Sequence, residues 1–581
     1  MNLCSFDIFD TALIRRFGRP EAIECLISGE HKQGDEKERA AEYANLVANP
    51  SILSLITEKR NSGCQIAFIS DMYLDSKFLT EILEREGCYK PGDKVYISCE
   101  HDARKDTGTL YDLVRKELSP ERWEHYGDNR RSDYAMAKSK GVDAKLVDSS
   151  FNAAENETQK QLGENNKAMT GLSRAARMKL GNNQYTALAA DFVAPAYIPY
   201  VFQLKEWAKE QKIKHIYFLS RDSYILMKGF ETAIKEDAEK PQVHYLFVSR
   251  RSLLLPYLHI AGGTELKKWY LSAMDHNSIK GNKVKSLLAA LGTDKDELKR
   301  LSIEFQFEKV HTAEQEKEFI DKIFNGAYAD LLKERAESAH KKLMKYFEQE
   351  SLTCSQSSAL VDVGWLGTSR RMINALLGKE QGAKTVYYYY GVRGDALPHS
   401  DGRYYAFYES NQLSTETTSL IENYYSSSPY ETTIGYQENN EGKAEPKFPG
   451  KGSEKMKHIA EQNESVICWM TEVLKEWDMT NIQALREWAT ASMNVIKSLD
   501  VEIDLSPLAD SDDFDTNSFM RKLKPNETRQ IALFGNRVTA FDKASLYYTY
   551  GCGIKFKLLW TMHTASERIR RFLYETFIKK N

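Results

Sequence analysis

The feature that most constrains this chain is an apolar run near its N-terminus that ends in closely spaced acids. Residues 5–13 read SFDIFDTAL, the pattern of a buried parallel strand followed by a polar turn. The carboxyl end of such a strand opens into the crevice where ligands of open α/β sheets bind. A carboxylate there can act as a nucleophile, a metal ligand or both, although a simple capped turn gives the same pattern.

Three later stretches repeat the pattern of an apolar run that ends in a polar residue. QIAFIS ends at Ser70, whose hydroxyl could donate to a phosphate oxygen or cap the helix expected from about Asp75. KVYIS leads to Lys105, which precedes a helix and could neutralise an anionic substrate or remain solvated. HYGDNRRSD places Asp128 and Asp133 around a tight turn, and two acids so arranged suit a hard cation.

In this order and spacing, the four stretches resemble the haloacid dehalogenase-like (HAD) hydrolase superfamily over residues 1–150. The resemblance implies a doubly wound, Rossmann-like domain with a short helical cap at about 14–60. It also implies Mg²⁺ and, most often, hydrolysis of a phosphate ester through a phospho-aspartate.

The family motifs match residues of this chain one by one. The resemblance makes Asp7 the nucleophile, Ser70 the phosphate-binding hydroxyl and Lys105 the lysine of the third motif. Asp128 and Asp133 form the acidic metal motif. The metal ligands expected from this assignment are Asp7, the carbonyl of Phe9, Asp128 and Asp133.

One departure from the family pattern bears on mechanism. The family's phosphatases carry a general acid/base Asp two residues after the nucleophile, where this chain has Phe9. Phe cannot transfer a proton, and losing that help costs about 10²–10⁴-fold in rate. Asp10, the next residue, either caps the turn or takes the catalytic role, and we favour it as the proton donor. The family's dehalogenases also carry Tyr or Phe here but need no Mg²⁺, so the retained pair Asp128 and Asp133 argues against their chemistry.

A second α/β domain is expected over 186–400, after a linker at 151–185 that is rich in Asn, Glu and Gln. Four apolar runs in this domain end in polar residues. Such strand ends suggest an anion pocket of guanidinium and backbone N–H groups, or alternatively structural ion pairs in a packed domain. The candidate binding residues are Arg221, Asp222, Arg250, Asp362, Gly367, Thr368 and Arg393.

The segment around Asp362 resembles the phosphate-binding loop of phosphoribosyltransferases, with an apolar strand, an acid, and then Gly-Thr opening a helix. It lacks the second acid that usually follows and is shorter. The pairing of a HAD-like domain with such a domain resembles bacterial proteins of polysaccharide and surface-sugar gene neighbourhoods. A long helical insertion is expected at about 265–350, and a mainly helical region over 401–581.

Composition narrows the class of protein. The 581 residues are too many for one hydrophobic core, so a multidomain α/β protein is expected. With 80 basic and 83 acidic residues and a net charge of −3, a dedicated nucleic-acid surface is not expected. Because no run of about 18 apolar residues and no signal-peptide pattern is present, we expect no membrane span and a cytoplasmic location. Eight scattered cysteines indicate reduced thiols, not disulfides or a zinc site.

Three functional hypotheses follow. The first is a Mg²⁺-dependent phosphatase or phosphotransferase whose second domain binds a phosphorylated sugar or nucleotide. The second is a phosphoribosyl or glycosyl transferase that acts through the second domain, with a regulatory or inactive HAD unit. The third is a non-catalytic scaffold in which both α/β domains only bind ligands.

Overall fold

The computed structural model describes residues 1–18, 27, 30–163, 168–274, 291–293, 296–297, 299–300, 313–325, 328–352, 357–393, 403–409, 412–450, 452–498 and 528. The chain divides into two compact units. Unit 1 contains Met1–Pro199 and the described part of Gln462–Pro507. Unit 2 contains Tyr200–Glu461. The chain is therefore an α/β protein of more than one unit, as expected from its length.

A five-stranded parallel sheet forms the centre of unit 1. The strands of this unit are β1 (Asn2–Phe6), β2 (Leu13–Arg15), β3 (Leu46–Ala48), β4 (Gln65–Ser70), β5 (Lys94–Ile97), β6 (Arg122–Gly127) and β7 (Asp143–Leu146). The sheet order is β5-β4-β1-β6-β7, and every neighbouring pair is parallel. The chain starts at β1 and builds outward in both directions, so the strand order reverses between β1 and β6. Ligands of such sheets bind at this reversal, beyond the carboxyl ends of the strands.

Alternate residues of the unit 1 strands enter two apolar layers, because successive side chains of a strand point to opposite faces. Phe6 and Phe68 pack in one layer with Leu79 of the helix Ser76–Arg85. Asp75 caps that helix by accepting a hydrogen bond from the Phe78 N–H at 2.9 Å. The opposite layer contains Leu3, Ala67, Ile69, Leu110, Tyr111, Val114 and Trp123. A sheet buried on both faces explains why its strands are continuous apolar runs.

Helices surround this sheet. Those of unit 1 are Glu36–Asn45, Pro50–Asn61, Ser76–Arg85, Ser98–His101, Thr109–Leu118, the π-helix Arg130–Met136, Ala137–Ser139, Ala153–Gln161, Ala168–Leu180, Gln184–Leu188, the π-helix Ala189–Val193 and Ile482–Ser498. The cap region differs from the all-helical expectation, because β2 pairs with β3 in an antiparallel ribbon. Residues 19–26 and 28–29 of that region lie outside the described residues.

Unit 2 contains a second five-stranded parallel sheet. Its strands are β8 (His215–Leu219), β9 (Gln242–Leu246), β10 (Ser358–Asp362), β11 (Val386–Gly391) and β12 (Arg403–Tyr408). The order is β12-β11-β10-β8-β9, which reverses between β8 and β10. The fifth strand, β12, lies in the region expected to be mainly helical. Its sequence, RYYAFY, pairs with β11 and so belongs to the α/β fold.

The remaining elements of unit 2 are helices and one hairpin. The helices are Tyr224–Ala233, Arg250–Met274 with an interruption at Gly262, Ala313–Asn325, Tyr328–Gln349, Thr368–Leu377, Lys379–Lys384, Thr415–Leu420 and the π-helix Ile421–Tyr425. The hairpin joins β13 (Gly435–Glu438) to β14 (Ala444–Lys447). Ala194–Glu210 and Glu454–Glu476 are helices that cross the boundary between the units. Most of 275–312 and nearly all of 499–581, expected to be helical, lie outside the described residues.

The unit boundaries differ from the domain limits expected from the sequence. The expected linker at 151–185 is folded into helices of unit 1, apart from residues outside the described set. Residues 186–199 also belong to unit 1, as does the helix Ile482–Ser498 near the far end of the described chain. Patterns of apolar residues indicate where a helix lies but not the sheet against which it packs.

One helical stretch among the described residues, Gln184–Glu210, is long and apolar enough to cross a membrane. However, 89% of its most apolar window is buried inside the protein. The core helix of a soluble protein has the same length and composition, so this stretch is only weak support for a membrane span.

Candidate active site

The residues of the four motifs meet at the carboxyl edge of the unit 1 sheet. Asp7 follows β1 and is 6% exposed, and its N–H donates to the Tyr126 carbonyl at 2.8 Å. Ser70 ends the neighbouring strand β4 and is buried. Asp128 follows β6 directly, on the other side of β1. Because the strands are parallel and in register, these residues reach the point where the strand order reverses.

Lys105 lies at the centre of this cluster. Its Nζ is 2.6 Å from Oδ1 of Asp7 and 2.6 Å from Oδ1 of Asp133, and the side chain is almost fully buried. Asp71 holds the lysine's loop in place by accepting hydrogen bonds from the N–H groups of Lys105 at 2.8 Å and Asp106 at 3.2 Å. The loop thus presents a buried cation to two carboxylates, and Asp71 is a residue whose role the motif pattern did not indicate.

A chain of buried hydrogen-bonding groups lies beneath Asp133. Trp123 Nε1 donates to Ser5 Oγ at 2.8 Å, and that hydroxyl lies 2.8 Å from Nδ1 of His125. If the Ser5 hydroxyl donates to Nδ1, the proton of the His125 ring is on Nε2. Nε2 lies 3.5 Å from Oδ1 of Asp133. The Asn129 N–H donates to the other carboxylate oxygen of Asp133 at 3.0 Å. Asp133 is therefore held from several sides.

Gly127 provides the space that Asp133 occupies. A Cβ atom at position 127 would lie 2.4 Å from Cγ of Asp133, far closer than a real contact. Any side chain there would displace the carboxylate. The glycine that ends β6, just before the acidic turn, is thus required by close packing.

Burial and neighbouring charge set the protonation of these acids. Burial raises the pKa of Asp7 to about 8, with further increases from Asp133 and Asp128, while Lys105 acts in the opposite direction. Burial likewise raises the pKa of Asp128 to about 6. Burial would also raise the pKa of Asp133, but Lys105 and His125 outweigh it and hold that pKa well below its usual range. The Asp133 carboxylate is accordingly the ionised partner of Lys105.

The donor set of the cluster fits a hard divalent cation. One carboxylate oxygen from each of Asp7, Asp128 and Asp133 lies within 4.8 Å of the others. Mg²⁺ prefers such oxygen ligands and keeps several waters. Lys105 already neutralises part of the negative charge. Phe9, the remaining predicted ligand through its carbonyl, lies two residues after Asp7 in the same turn.

Asp10 faces an arginine that comes from far along the chain. Its φ of 53° is in the left-handed region, which Asp adopts more readily than most residues. Its Oδ1 accepts a hydrogen bond from Nη2 of Arg174, which is 3% exposed. Arg174 also donates through Nε to the Ser149 carbonyl at 2.7 Å. The carboxylate that we favoured as a proton donor is thus held in an ion pair.

The ring of Phe9 lies under a different arginine. The guanidinium carbon of Arg15 is 4.5 Å from the centre of that ring, and Arg15 forms a buried ion pair with Glu42. Phe9, two residues after Asp7, therefore packs against a cation.

The candidate residues of unit 2 also lie at one edge of a sheet. Arg221 and Asp222 follow β8, Arg250 begins the helix after β9, Asp362 ends β10, and Arg393 follows β11. The helix after β10 begins at Thr368, with Gly367 at its N-cap (φ 65°). All seven predicted residues are therefore at carboxyl ends of parallel strands or in the loops that follow.

Comparison with known proteins adds no family to this geometry. No protein-family model and no curated protein sequence matches the chain. The resemblance to the HAD superfamily depends on the four motifs and remains a prediction.

The residues that the motifs did not indicate are Asp71, Gly127, His125, Ser5 and Arg174. Ser5, Asp71, His125 and Gly127 lie within or directly beside the four motif stretches, and this closeness in sequence is a signal that could have identified them. Arg174 lies far from these stretches in the sequence.

Proposed function

We propose that unit 1 is a Mg²⁺-dependent phosphatase or phosphotransferase of the HAD type, acting through an aspartyl-phosphate on a phosphorylated sugar or nucleotide. The main support is the position of Lys105 Nζ, 2.6 Å from both Asp7 and Asp133. A nucleophile candidate, a buried cation and a cation-binding acid thus come together from separate strands at the sheet edge where ligands bind. Buried ion pairs alone are costly and add little stability, so a functional role is favoured.

In this proposal Asp7 is the nucleophile. Its carboxylate oxygen attacks phosphorus, the bond from phosphorus to the leaving oxygen breaks, and an acyl phosphate forms on Asp7. Water then cleaves the acyl phosphate and releases inorganic phosphate. Lys105 opposes the effect of burial on the Asp7 carboxyl and so acts in favour of its ionised form, and the Ser70 hydroxyl donates to a phosphoryl oxygen. Mg²⁺ held by Asp7, Asp128 and Asp133 would supply positive charge against the phosphoryl oxygens.

The surroundings of Asp10 specify the substrates that this site favours. The ion pair with Arg174 already engages the carboxylate of Asp10. Phe9, at the usual acid/base position, has no proton to transfer. The leaving oxygen therefore departs without a dedicated acid, and we expect turnover to depend strongly on how well the leaving group bears negative charge. Aryl phosphates should react faster than alkyl phosphates.

A transferase that acts through unit 2 is the second candidate function. The clustering of Arg221, Asp222, Arg250 and Asp362 at the carboxyl ends of a reversing sheet favours it. In that case unit 1 would be regulatory, and a purely ligand-binding scaffold is the third possibility. Only the first hypothesis requires phosphate release that depends on Asp7.

The deciding experiment measures phosphate release from 4-nitrophenyl phosphate and from an alkyl phosphate, with Mg²⁺ and with chelator. We expect Mg²⁺-dependent turnover of the aryl ester, lost by about 10³-fold or more in Asp7→Asn. Asp106→Asn, at an exposed ion pair near the site, is the matched control. Turnover that survives in Asp7→Asn, or no turnover in wild type, would contradict the proposal.

A second comparison tests the role of the acid/base position. Phe9→Asp should raise turnover of the alkyl ester more than that of the aryl ester, because only the poor leaving group needs a proton. Asp10→Asn should lower alkyl-ester turnover by less than about 10²-fold if Asp10 is a structural partner of Arg174. A larger loss in folded protein would restore Asp10 as the proton donor.

A further inference from the structure

A second group of charged residues lies at the strand reversal of the unit 2 sheet, separate from the site in unit 1. Register aligns the ends of the strands: Leu219 of β8 pairs with Leu246 of β9, and Asp362 of β10 pairs with Tyr389 of β11. Beyond this row come the loops that follow β8, β9, β10 and β11. Their charged side chains therefore start from the same edge.

Hydrogen bonds tie these loops together. Ser220 Oγ donates to the Val248 carbonyl at 2.9 Å, which joins the loop after β8 to the loop after β9. Ser223 Oγ donates to the Val361 carbonyl at 3.2 Å, and this joins the β8 loop to β10 across the reversal. The Arg393 N–H donates to the Trp365 carbonyl at 3.0 Å. Four loops thus form one connected rim.

Two opposite charges of this rim pair directly, since Nε of Arg221 lies 3.8 Å from Oδ1 of Asp222. Asp222 and Arg250 both act electrostatically on the Asp362 carboxylate. Yet Asp362 accepts its hydrogen bonds from the N–H groups of Val363 and Gly364, and in the described part of the chain no direct ion pair joins it to Arg250. A structural ion pair would bring the two groups into contact. Asp362 and Arg250 are therefore electrostatically coupled without direct contact.

A fifth element of unit 2, a π-helix, contributes another acid to this rim. Glu422, in the π-helix Ile421–Tyr425, is influenced by Asp222, Arg250 and Arg393, and it interacts with the side chain of Trp365. Arg250 and Arg393 are exposed, whereas Asp362 and Glu422 are only partly exposed. The rim therefore has accessible cations outside and more enclosed carboxylates inside.

We propose that this rim is a binding site for a phosphorylated sugar, held by Arg250 and Arg393 at its phosphate and by Asp222 and Asp362 at its hydroxyls. Guanidinium groups bind phosphate oxygens through charge-assisted hydrogen bonds. Carboxylates accept hydrogen bonds from hydroxyl groups. A ligand with only anionic groups has no hydroxyl to donate, so the acids favour a ligand that also carries hydroxyl groups. The carboxyl edge at a strand reversal is where such sheets bind small molecules. The site is independent of the chemistry proposed for Asp7.

The test uses the full chain with Asp7→Asn, so that the probe is not hydrolysed by the route proposed for unit 1. Glucose 1-phosphate and UDP-glucose are titrated by calorimetry in chelator, with glucose and inorganic phosphate as separate half-ligands. We expect at least one of the two esters to bind with a dissociation constant of about 1 mM or lower, and more tightly than either half-ligand.

Matched variants locate the binding. Arg250→Gln and Arg393→Gln should each weaken binding by about tenfold, because each removes a charged contact to the phosphate. Both arginines are exposed, so these variants should fold. Arg251→Gln, at the next residue on the same helix, loses the same charge, but Arg251 is not among the groups that act most strongly on Asp362 or Glu422, and the variant should bind normally.

Three results would overturn the proposal. One is that neither ester binds. Another is binding that both arginine variants leave unchanged, which would place the ligand elsewhere. The third is equal binding of inorganic phosphate and the esters, which would remove the role given to Asp222 and Asp362. None of these results bears on aryl-phosphate turnover by Asp7, so failure here and failure of the phosphatase proposal are distinguishable.

Discussion

Arg174 donates a hydrogen bond to the carboxylate of Asp10, a residue 164 positions earlier in the chain. Arg174 is 3% exposed, and its side chain also reaches the Ser149 carbonyl. Asp10 lies three residues after the nucleophile candidate and acts electrostatically on Asp128. The arginine thus fixes a carboxylate at the edge of the candidate site from a helix outside the central sheet.

The first prediction concerns this ion pair. Arg174→Met should lower the free energy of unfolding by about 3 kcal/mol, because it removes a buried guanidinium together with its hydrogen bonds to Asp10 and to the Ser149 carbonyl. The double variant with Asp10→Asn should recover part of that loss. Urea unfolding of the four proteins measures the coupling. Arg104→Gln, at an exposed pair with Asp106, is the control and should leave the free energy of unfolding almost unchanged. Strictly additive losses would show that the two residues are not coupled.

The second prediction concerns Gly127. Gly127→Ala should displace Asp133 and lower stability by about 1–3 kcal/mol, because its Cβ would lie 2.4 Å from Cγ of that acid. Mg²⁺ binding and aryl-phosphate turnover should fall with it. Gly163→Ala provides the comparison, since no atom lies within 4 Å of a Cβ there. Normal metal binding in a folded Gly127→Ala protein would argue against the packing described for Asp133.

The third prediction concerns the metal. Asp128→Asn should weaken Mg²⁺ binding by more than about tenfold, because it removes one of three converging oxygen ligands. Isothermal titration of MgCl₂ into the protein measures this directly. Asp106→Asn should bind as wild type. Equal affinity in wild type and Asp128→Asn would exclude this residue as a ligand.

The fourth prediction concerns pH. Burial raises the pKa of Asp7 to about 8 in the folded chain, well above its value in an unfolded one. Between these two values the folded state holds a proton that the unfolded state has lost, so stability should fall as pH rises from about 4 to 8. Urea unfolding in chelator at several pH values measures the slope. The slope should be smaller in Asp7→Asn, and an unchanged slope would mean that Asp7 titrates normally.

Local sequence was sufficient to identify the strand ends of unit 1. The runs ending at Phe6 and Ser70 are apolar because both faces of the sheet are covered, and this leaves a continuous signal in the sequence. The polar residues that follow such runs must emerge at the carboxyl edge. The resemblance to the HAD motifs implied that Asp7, Lys105 and Asp133 share one site, and the structure brings both carboxylates within hydrogen-bonding distance of Lys105.

Local sequence was not sufficient to predict β12 or the boundaries of the two units. RYYAFY in β12 lies between stretches without clear strand signals, and only pairing with β11 makes it part of the sheet. The helix Ile482–Ser498 returns to unit 1 although unit 2 intervenes in the chain. The apolar pattern of a helix states that one face is buried, but many surfaces could bury it.

The residues of the candidate sites also fall into two groups, those identified from local sequence and those whose role depends on the tertiary structure. Residues 5–13 specify a strand, a turn and two acids, because backbone preference and a continuous apolar run are properties of a few neighbouring residues. Whether Asp10 serves as a proton donor or as an ion-pair partner depends on Arg174, and no local pattern connects the two. The position of Glu422 beside Arg250 is similarly long-range. Electrostatic partners are chosen by distance in space, and that distance exists only after the sheets and helices have packed.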